Sequence, residues 1–246
     1  MIISKKSLGQ NFLIDKNICK KIVNISNLTN KIVIEIGPGK GILTDFIINN
    51  QPKNFILIEK DYELYDFLLK KYNKTKNIQI INGDALFFDY SKYKDLIIIS
   101  NLPYNISTKL ILKLFKLNIN INELIFMIQK EVGDKFNYKK GSINKYKFIT
   151  YLTSKIKIHF DVSANVFYPK PKVTSSVVSF QLNSKKYNWR EIENFTNIFF
   201  KNKRKKIHNK LLAFKESNHI NSNKRIEELN CTEVLDCYKF FQTGMK

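Results

Sequence analysis

Short apolar runs alternate with helical stripes over the first two thirds of the chain. Ile32–Ile36 is mostly apolar and stops at Gly37, and similar runs stand at Phe55–Ile58, Ile78–Ile81, Leu96–Ile99 and Leu124–Ile128. A short continuous apolar run closed by turn residues is the pattern of a strand buried on both faces. Between these runs the apolar residues recur three and four apart, as expected for helices. They do so over residues 16–26 (Ile18, Ile22, Val23), Ile42–Ile48, Tyr62–Tyr72, and a segment carrying Leu110, Ile111, Leu114 and Phe115 that Ser107 can N-cap. Strands alternating with helices predict a parallel sheet covered on both faces, an α/β fold. Further strands are expected at 148–160 and 175–182. After Leu182 the alternation ends. Asn183-Ser184-Lys185-Lys186 reads as a polar linker, and residues 189–246 as three or four short helices. The expected organisation is therefore an α/β domain over 1–182 and a small helical domain over 183–246.

Composition narrows the class. The 246 residues are 43% hydrophobic and 13% aromatic, enough for a sizeable core and against wholesale disorder. No run approaches the roughly 18 apolar residues of a membrane span. Met1-Ile2-Ile3-Ser4-Lys5-Lys6 opens without the apolar stretch of a secretion signal, so a cytoplasmic protein is expected. Cys19, Cys231 and Cys237 form no CxxC, and His159, His208 and His219 stand apart, so neither a disulfide framework nor a metal site is expected. Lys+Arg 42 against Asp+Glu 21 leaves a charge of +21, a field that draws in polyanions. Only Arg190, Arg204 and Arg225 are arginine, however, and the chain is crowded with Lys, Asn and Ile, residues with A/T-rich codons. Codon drift alone yields such a chain, so charge supports nucleic-acid binding without establishing it.

The same drift makes the few glycines and prolines informative. Ile34-Glu35-Ile36-Gly37-Pro38-Gly39-Lys40-Gly41 puts three glycines at the end of a predicted strand, where a ligand can approach the backbone. A dinucleotide fingerprint needs glycine at 42, where Ile42 stands, and Pro38 removes an N–H that a pyrophosphate would use. The turn suits a nucleoside with a non-phosphate tail. Glu59, twenty residues after Gly39 at the tip of the second strand, can accept both ribose hydroxyls. Asp84, closing the third strand, is placed to meet an adenine amine. Asn101-Leu102-Pro103-Tyr104 follows the fourth strand. An exocyclic amine on a base is a weak nucleophile because its lone pair is delocalised into the ring. A side-chain amide oxygen and a backbone carbonyl that accept from it favour the pyramidal form. An aromatic ring can stack on the base, which must be flipped out or unpaired to enter.

These strings, with Gly9-Gln10-Asn11-Phe12-Leu13-Ile14-Asp15, Ile58-Glu59-Lys60-Asp61, Gly83-Asp84-Ala85-Leu86, Asn101 through Thr108, Gln129-Lys130-Glu131-Val132 and Phe167-Tyr168-Pro169-Lys170-Pro171-Lys172-Val173, run in order over roughly residues 4–215. In that set the chain resembles the ribosomal RNA adenine N6-dimethyltransferases, which modify two adjacent adenosines near the 3′ end of small-subunit rRNA. The resemblance implies a Rossmann-like class I methyltransferase domain with a small C-terminal helical domain, and S-adenosyl-L-methionine as cofactor. It implies Asn11, Leu13, Gly37, Gly39, Glu59, Asp84, Ala85 and Asn101 for the cofactor. For the target it implies Asn101, Leu102, Pro103 and Tyr104, with Phe167 sandwiching the flipped adenine against Tyr104. Lys203-Arg204-Lys205-Lys206 looks like the family's basic, RNA-binding helix. The implied partner is small-subunit rRNA within an immature ribosomal subunit, met by a monomer with neither membrane nor metal.

Lys135 stands where the family usually has Arg, and Lys147 follows Tyr146 where it usually has Gly. Lys keeps the charge but loses bidentate phosphate geometry. Two alternatives use the same fold. A large-subunit adenine methylase of the macrolide-resistance type more often has Ile after the Asn of the Asn-Leu-Pro-Tyr string. A non-catalytic nucleic-acid-binding descendant should have lost Gly37, Glu59, Asp84 or Asn101, and all four are present.

The basic run yields a test by salt dependence. Each phosphate contact contributes about −0.7 to −0.9 to the slope of log K against log[salt]. Replacing Lys203, Arg204 and Lys205 by Gln should flatten that slope by roughly 2 units for the rRNA-containing particle, with S-adenosylmethionine affinity unchanged. A wild-type slope and affinity would make the run a solvated face.

Overall fold

The computed structural model describes residue 5 and residues 9–117, 119–201 and 224–243; Lys203, Arg204, Lys205 and Lys206 lie outside them. In chain order the elements are β1 (Phe12–Leu13), α1 (Lys16–Val23), β2 (Ile32–Ile36), α2 (Ile42–Ile48), β3 (Asn54–Glu59), α3 (Tyr62–Lys71), β4 (Ile78–Asn82), β5 (Leu96–Asn101) and α4 (Ser107–Lys116). They continue with β6 (Ile121–Gln129), α5 (Lys130–Phe136), α6 (Lys145–Thr153), β7 (Ser154–Val162), β8 (Phe167–Tyr168), β9 (Ser175–Leu182), α7 (Trp189–Phe199) and α8 (Cys231–Thr243).

Seven strands form one sheet in the order β4-β3-β2-β5-β6-β9-β7. β2 pairs in parallel with β3 on one side and β5 on the other, β3 pairs with β4, and β5 with β6. The chain thus starts at the sheet centre, winds outward to β4, and returns to start again at β5. The reversal leaves a crevice beyond the carboxyl ends of β2 and β5, where ligands bind in open α/β sheets. The inner strands are apolar because both faces are covered: Val33, Ile34, Leu57, Ile98, Ile99, Leu124 and Ile125 are fully enclosed. Asp15 and Asp61 fix the entries of α1 and α3 by accepting from N–H groups of the first turn.

The expected parallel order holds through β6 and then changes. β9 runs antiparallel to β6. Only the two-residue β8 and a short 3-10 turn separate β7 from β9, and without a crossover helix a strand need not return in the same direction. The strand expected over 148–160 is instead α6 followed by β7. Phe148 to Leu152 is a mostly apolar segment, broken only by Thr150, whose aromatic and β-branched residues fit either state. The Asn144 side chain decides it by accepting from the N–H groups of Tyr146 and Lys147, an N-cap. Ser107 is the first residue of α4 rather than its cap, and its Oγ donates to the Pro103 carbonyl at 3.0 Å.

The chain divides into two compact units, residues 1–133 with 157–184, and residues 134–156 with 185–246. A single cut near 183–188 therefore misses that residues 134–156 group with the C-terminal segment. The physical reason is an aromatic cluster. Phe148 of α6 packs on Phe195 of α7 with ring centroids 5.5 Å apart, and Tyr238 of α8 meets both, at 5.8 and 5.1 Å. Such a core draws on sequence from both sides of β7, which no linear reading of composition reveals.

At the amino ends of the strands the backbone repeats one device. Asn30, Gln51, Asn77 and Asp95 precede β2, β3, β4 and β5, all with positive φ, between 51° and 61°. The left-handed turn reverses the chain from the helix layer into the strand. It costs a non-glycine residue about 1–2 kcal/mol. Gln51 is exposed and its side chain makes no hydrogen bond among the described residues. Gln51→Gly should therefore raise stability by up to about 1 kcal/mol, the relief of strain exceeding the entropic cost of glycine. Thermal melting checks this; a lowered midpoint would show that the strain is small.

Candidate active site

A cleft opens at the carboxyl ends of β2, β3, β4 and β5, with about 1060 Å³ of space counting its open mouth. Every residue lining it belongs to the larger unit. Its floor is the turn after β2. Gly39 has φ +59°, and a Cβ there would come within 2.9 Å of the Phe12 ring; Gly41 has φ +76°, and a Cβ there would meet the Tyr72 hydroxyl at 2.4 Å. Side chains are thus excluded twice, by backbone conformation and by neighbours. The turn is held from behind. Lys71 Nζ donates to the carbonyls of Lys40 and Gly41, both at 3.2 Å, and to Asp45 at 2.9 Å. The Tyr72 hydroxyl lies 2.8 Å from the Gly41 carbonyl and 2.6 Å from Asp45.

Three acids surround this turn in different states. Glu35, the fourth residue of β2, is wholly buried and accepts from the Thr44 hydroxyl at 2.7 Å; burial pushes its carboxyl up to about 8. Glu59 ends β3 and is 5% exposed. Its two oxygens accept from the N–H of Gly39 at 3.1 Å and of Asp61 at 2.9 Å. Burial raises its pKa above the usual carboxylate value, and these donors oppose the rise. Asp84 follows β4. Burial pushes it up, but the Lys60 ammonium at 2.9 Å and the Leu86 N–H at 2.8 Å outweigh that, so its pKa is lowered. The cleft therefore offers carboxylates at the two positions expected to read a ribose and an adenine amine.

Asn101 is the last residue of β5. Its Nδ2 donates to the Asn11 carbonyl at 2.9 Å, which turns the amide oxygen the other way, without a partner among the described residues. The Pro103 carbonyl is engaged, accepting from Ser107 Oγ at 3.0 Å and the Ile106 N–H at 3.2 Å. The Leu102 carbonyl has no such partner, while its N–H is anchored on the Met127 carbonyl at 3.0 Å. Of the two carbonyls the sequence offers, Leu102's is the open one. The Tyr104 hydroxyl lies 2.7 Å from Ser175 Oγ, fixing the ring at the start of β9.

Asn11, Leu13, Gly37, Gly39, Glu59, Asp84, Ala85, Asn101, Leu102, Pro103 and Tyr104 all line this one cleft. Phe167 does not. It is 3% exposed, pairs with Leu13 across the small β1–β8 ribbon, and packs with it in the core. Glu35, Lys60 and Asp61 stand within the sequence strings but carry no role there, and Ser175 is not singled out. Glu35 also carries a signal of its own, an acid inside an otherwise apolar buried strand. Among the described residues no three His, Cys, Asp or Glu side chains gather as metal ligands, and no helix is long and apolar enough to cross a membrane.

A centrally switched sheet with an acid-lined cleft at its switch point is the Rossmann-like arrangement of class I methyltransferases. Solved structures agree on the fold. A dimethyladenosine transferase from Plasmodium falciparum superposes with a TM-score of 0.81 at 23% identity, covering 95% of this chain and 98% of its own. The 23S rRNA methyltransferase ErmE gives 0.78 at 20%, covering 94% and 100%. Residues 2–243 match the ribosomal RNA adenine dimethylase family, and the chain belongs to it. Ribosomal RNA small subunit methyltransferase A of Malacoplasma penetrans (strain HF-2) is 42% identical over 217 residues, 85% of this chain and 78% of that protein.

The buried acid beneath the turn makes stability depend on pH. The Glu35 carboxyl ionises near 4.5 in an unfolded chain and at about 8 in the fold. Between those values the unfolded chain loses a proton that the native state keeps, so stability falls as pH rises across the window and levels off above it. The accumulated loss is on the order of a few kcal/mol. Glu35→Gln, which keeps an acceptor for Thr44, should make the fall of melting temperature with pH shallower by about one proton's worth. An unaltered pH profile would mean that Glu35 ionises normally.

Proposed function

We propose that the protein transfers methyl groups from S-adenosylmethionine to the N6 amines of two adjacent adenosines in the 3′-terminal hairpin of small-subunit rRNA, acting as a cytoplasmic monomer on an immature subunit. The observation that carries this reading is the pair of open acceptors at the end of β5, the Asn101 amide oxygen and the Leu102 carbonyl. Family membership supports an rRNA adenine dimethyltransferase. The name of the Malacoplasma relative supports the small subunit over the large, a choice the shared fold leaves open.

The cleft fits the cofactor. The Gly37–Gly41 turn admits its methionine portion close to the backbone, Glu59 accepts from the ribose hydroxyls, and Asp84 accepts from the adenine amine. Two carboxylates also favour a cationic ligand. When bound, the sulfonium supplies an electrophilic methyl group.

The target amine then donates one N–H to Asn101 Oδ1 and the other to the Leu102 carbonyl. Both acceptors draw the hydrogens to one side and return the lone pair to nitrogen. Tyr104, held by Ser175, offers its ring face to the base. On transfer the amine nitrogen would take the methyl group that the sulfonium gives up, and the surplus proton would leave from nitrogen to water. After one transfer a single N–H remains, enough for one of the two acceptors to hold the amine for the second. The Asn101 contact gains strength as charge builds on nitrogen, so it lowers the barrier rather than tightening binding.

Asn101→Ala should slow single-turnover methyl transfer to immature small subunits by about 100-fold, with affinity for the particle nearly intact. Wild-type rate in the variant removes Asn101 from the chemistry. Methyl transfer by the wild type to large subunits, with none to small ones, overturns the substrate assignment.

A further inference from the structure

Residues 9–13 roof the cleft, all five lining it. The roof is held in three places. At its carboxyl end β1 pairs with β8, and the Ile14 N–H donates to the Val166 carbonyl at 2.9 Å. In its middle the Asn11 carbonyl accepts from Asn101. At its amino end Gln10 Nε2 donates to Asp61 Oδ2 at 3.1 Å, while Lys5 Nζ donates to Asp61 Oδ1 at 2.9 Å. The Lys5 N–H closes this corner by donating to Gln10 Oε1 at 2.7 Å. The Asp61 side chain is 2% exposed, so both its oxygens are committed in a site that water does not fill.

Asp61 faces two ways. Its side chain holds the roof, and its backbone N–H holds the Glu59 carboxylate at 2.9 Å. Asn101 needs the roof in place. An amide side chain can turn over at little intrinsic cost, and only a neighbour decides which end faces the substrate. Here the Asn11 carbonyl decides it, and one residue away Gln10 is fastened to Asp61.

From this geometry we infer that Gln10 and Asp61 are positioning residues for methyl transfer: their contact fixes the Asn11 carbonyl, which orients the Asn101 amide with its oxygen toward the target amine. The inference rests on the function proposed above. It adds that the cofactor end of the cleft and the target end are tied through one side-chain contact.

The test is an exchange of hydrogen-bond partners in the full-length protein. Gln10→Glu faces a second carboxylate to Asp61 and opens the contact. Adding Asp61→Asn restores it with donor and acceptor reversed, and Asn still caps α3. The readouts are the single-turnover rate on immature small subunits at saturating S-adenosylmethionine, the cofactor Kd by calorimetry, and the melting temperature. Misplacing a catalytic group by a fraction of an ångström to an ångström costs up to about 100-fold, so Gln10→Glu should slow the saturated rate by about tenfold or more. The double variant should recover most of that loss. A wild-type rate in Gln10→Glu overturns the inference. So does a double variant no faster than Gln10→Glu at equal melting temperature, or a change confined to cofactor Kd. Should the double variant melt lower, Gln10→Ala decides: a wild-type saturated rate overturns the inference, and a slowed one upholds it. A wild-type protein that transfers no methyl to any subunit would instead overturn the proposed function, a distinct result.

Discussion

Joined to two backbone N–H groups in a nearly closed site, the Glu59 carboxylate ties the turn after β2 to the entry of α3. The distances leave little freedom. Gly39 and Asp61 both donate from backbone, so neither donor can rotate away, and a displaced carboxylate would leave buried donors unsatisfied at a cost of about 1–3 kcal/mol. Through Asp61 the same acid reaches the roof, and through Gly39 it reaches Phe12 in that roof. The floor of the cleft, its roof and the acid proposed to read the ribose are therefore one connected object. A ligand that hydrogen-bonds Glu59 presses on all three.

The electrostatic arrangement follows from where each acid sits along its strand. Glu35 lies inside β2, with sheet on both sides and only the Thr44 hydroxyl for a partner, and it holds its proton at neutral pH. Asp84 lies past the end of β4, within reach of Lys60 and of a backbone N–H, and stays ionised. Glu59 stands between these extremes, at the strand end but enclosed by the roof. Position along the parallel strands thus separates a wholly buried acid with a raised pKa from Asp84, past a strand end, whose pKa is lowered. Glu59 and Asp84 both line the cleft, where the proposed sulfonium and sugar hydroxyls would meet them.

Much of this was legible in the chain. β2 and α2 fall where periodicity put them, because Ile32–Ile36 and Ile42–Ile48 are bounded by glycines and by polar residues that permit no other reading. Glu59, Asp84 and Asn101 were legible because strand ends in a doubly wound sheet converge, so three separated residues share one place by topology alone. What stayed hidden depended on three-dimensional partners. α6 was hidden because Phe148–Leu152 is mostly aromatic and β-branched, which suits a strand as well, and its Asn144 cap is a single residue. The gathering of 134–156 with the C-terminal segment depends on Phe148 meeting Phe195 and Tyr238, contacts far apart in sequence. The choice between the Leu102 and Pro103 carbonyls required knowing that Ser107 takes the latter. Phe167 was expected beside Tyr104, yet it faces Leu13, since strand register and not motif spacing sets which way a β8 side chain points.

The glycines show how composition and site constrain each other. The chain tolerates left-handed backbone in Asn30, Gln51, Asn77 and Asp95, at the amino ends of four strands, where it bears the strain on ordinary side chains. At the opposite, ligand-binding end the same conformation occurs at Gly37, Gly39 and Gly41. The difference cannot be φ, which is similar in both sets. It is space. A methyl group at Gly39 would press on Phe12 and lift the roof, and one at Gly41 would strike the Tyr72 hydroxyl that holds the turn. Conformational strain of about 1–2 kcal/mol is bearable where nothing else depends on it. A clash that displaces Phe12 reaches its chain neighbour Asn11, and through the Asn11 carbonyl the Asn101 amide. In a sequence so poor in glycine, Gly39 and Gly41 are required by the packing around the cleft as well as by the turn of the chain.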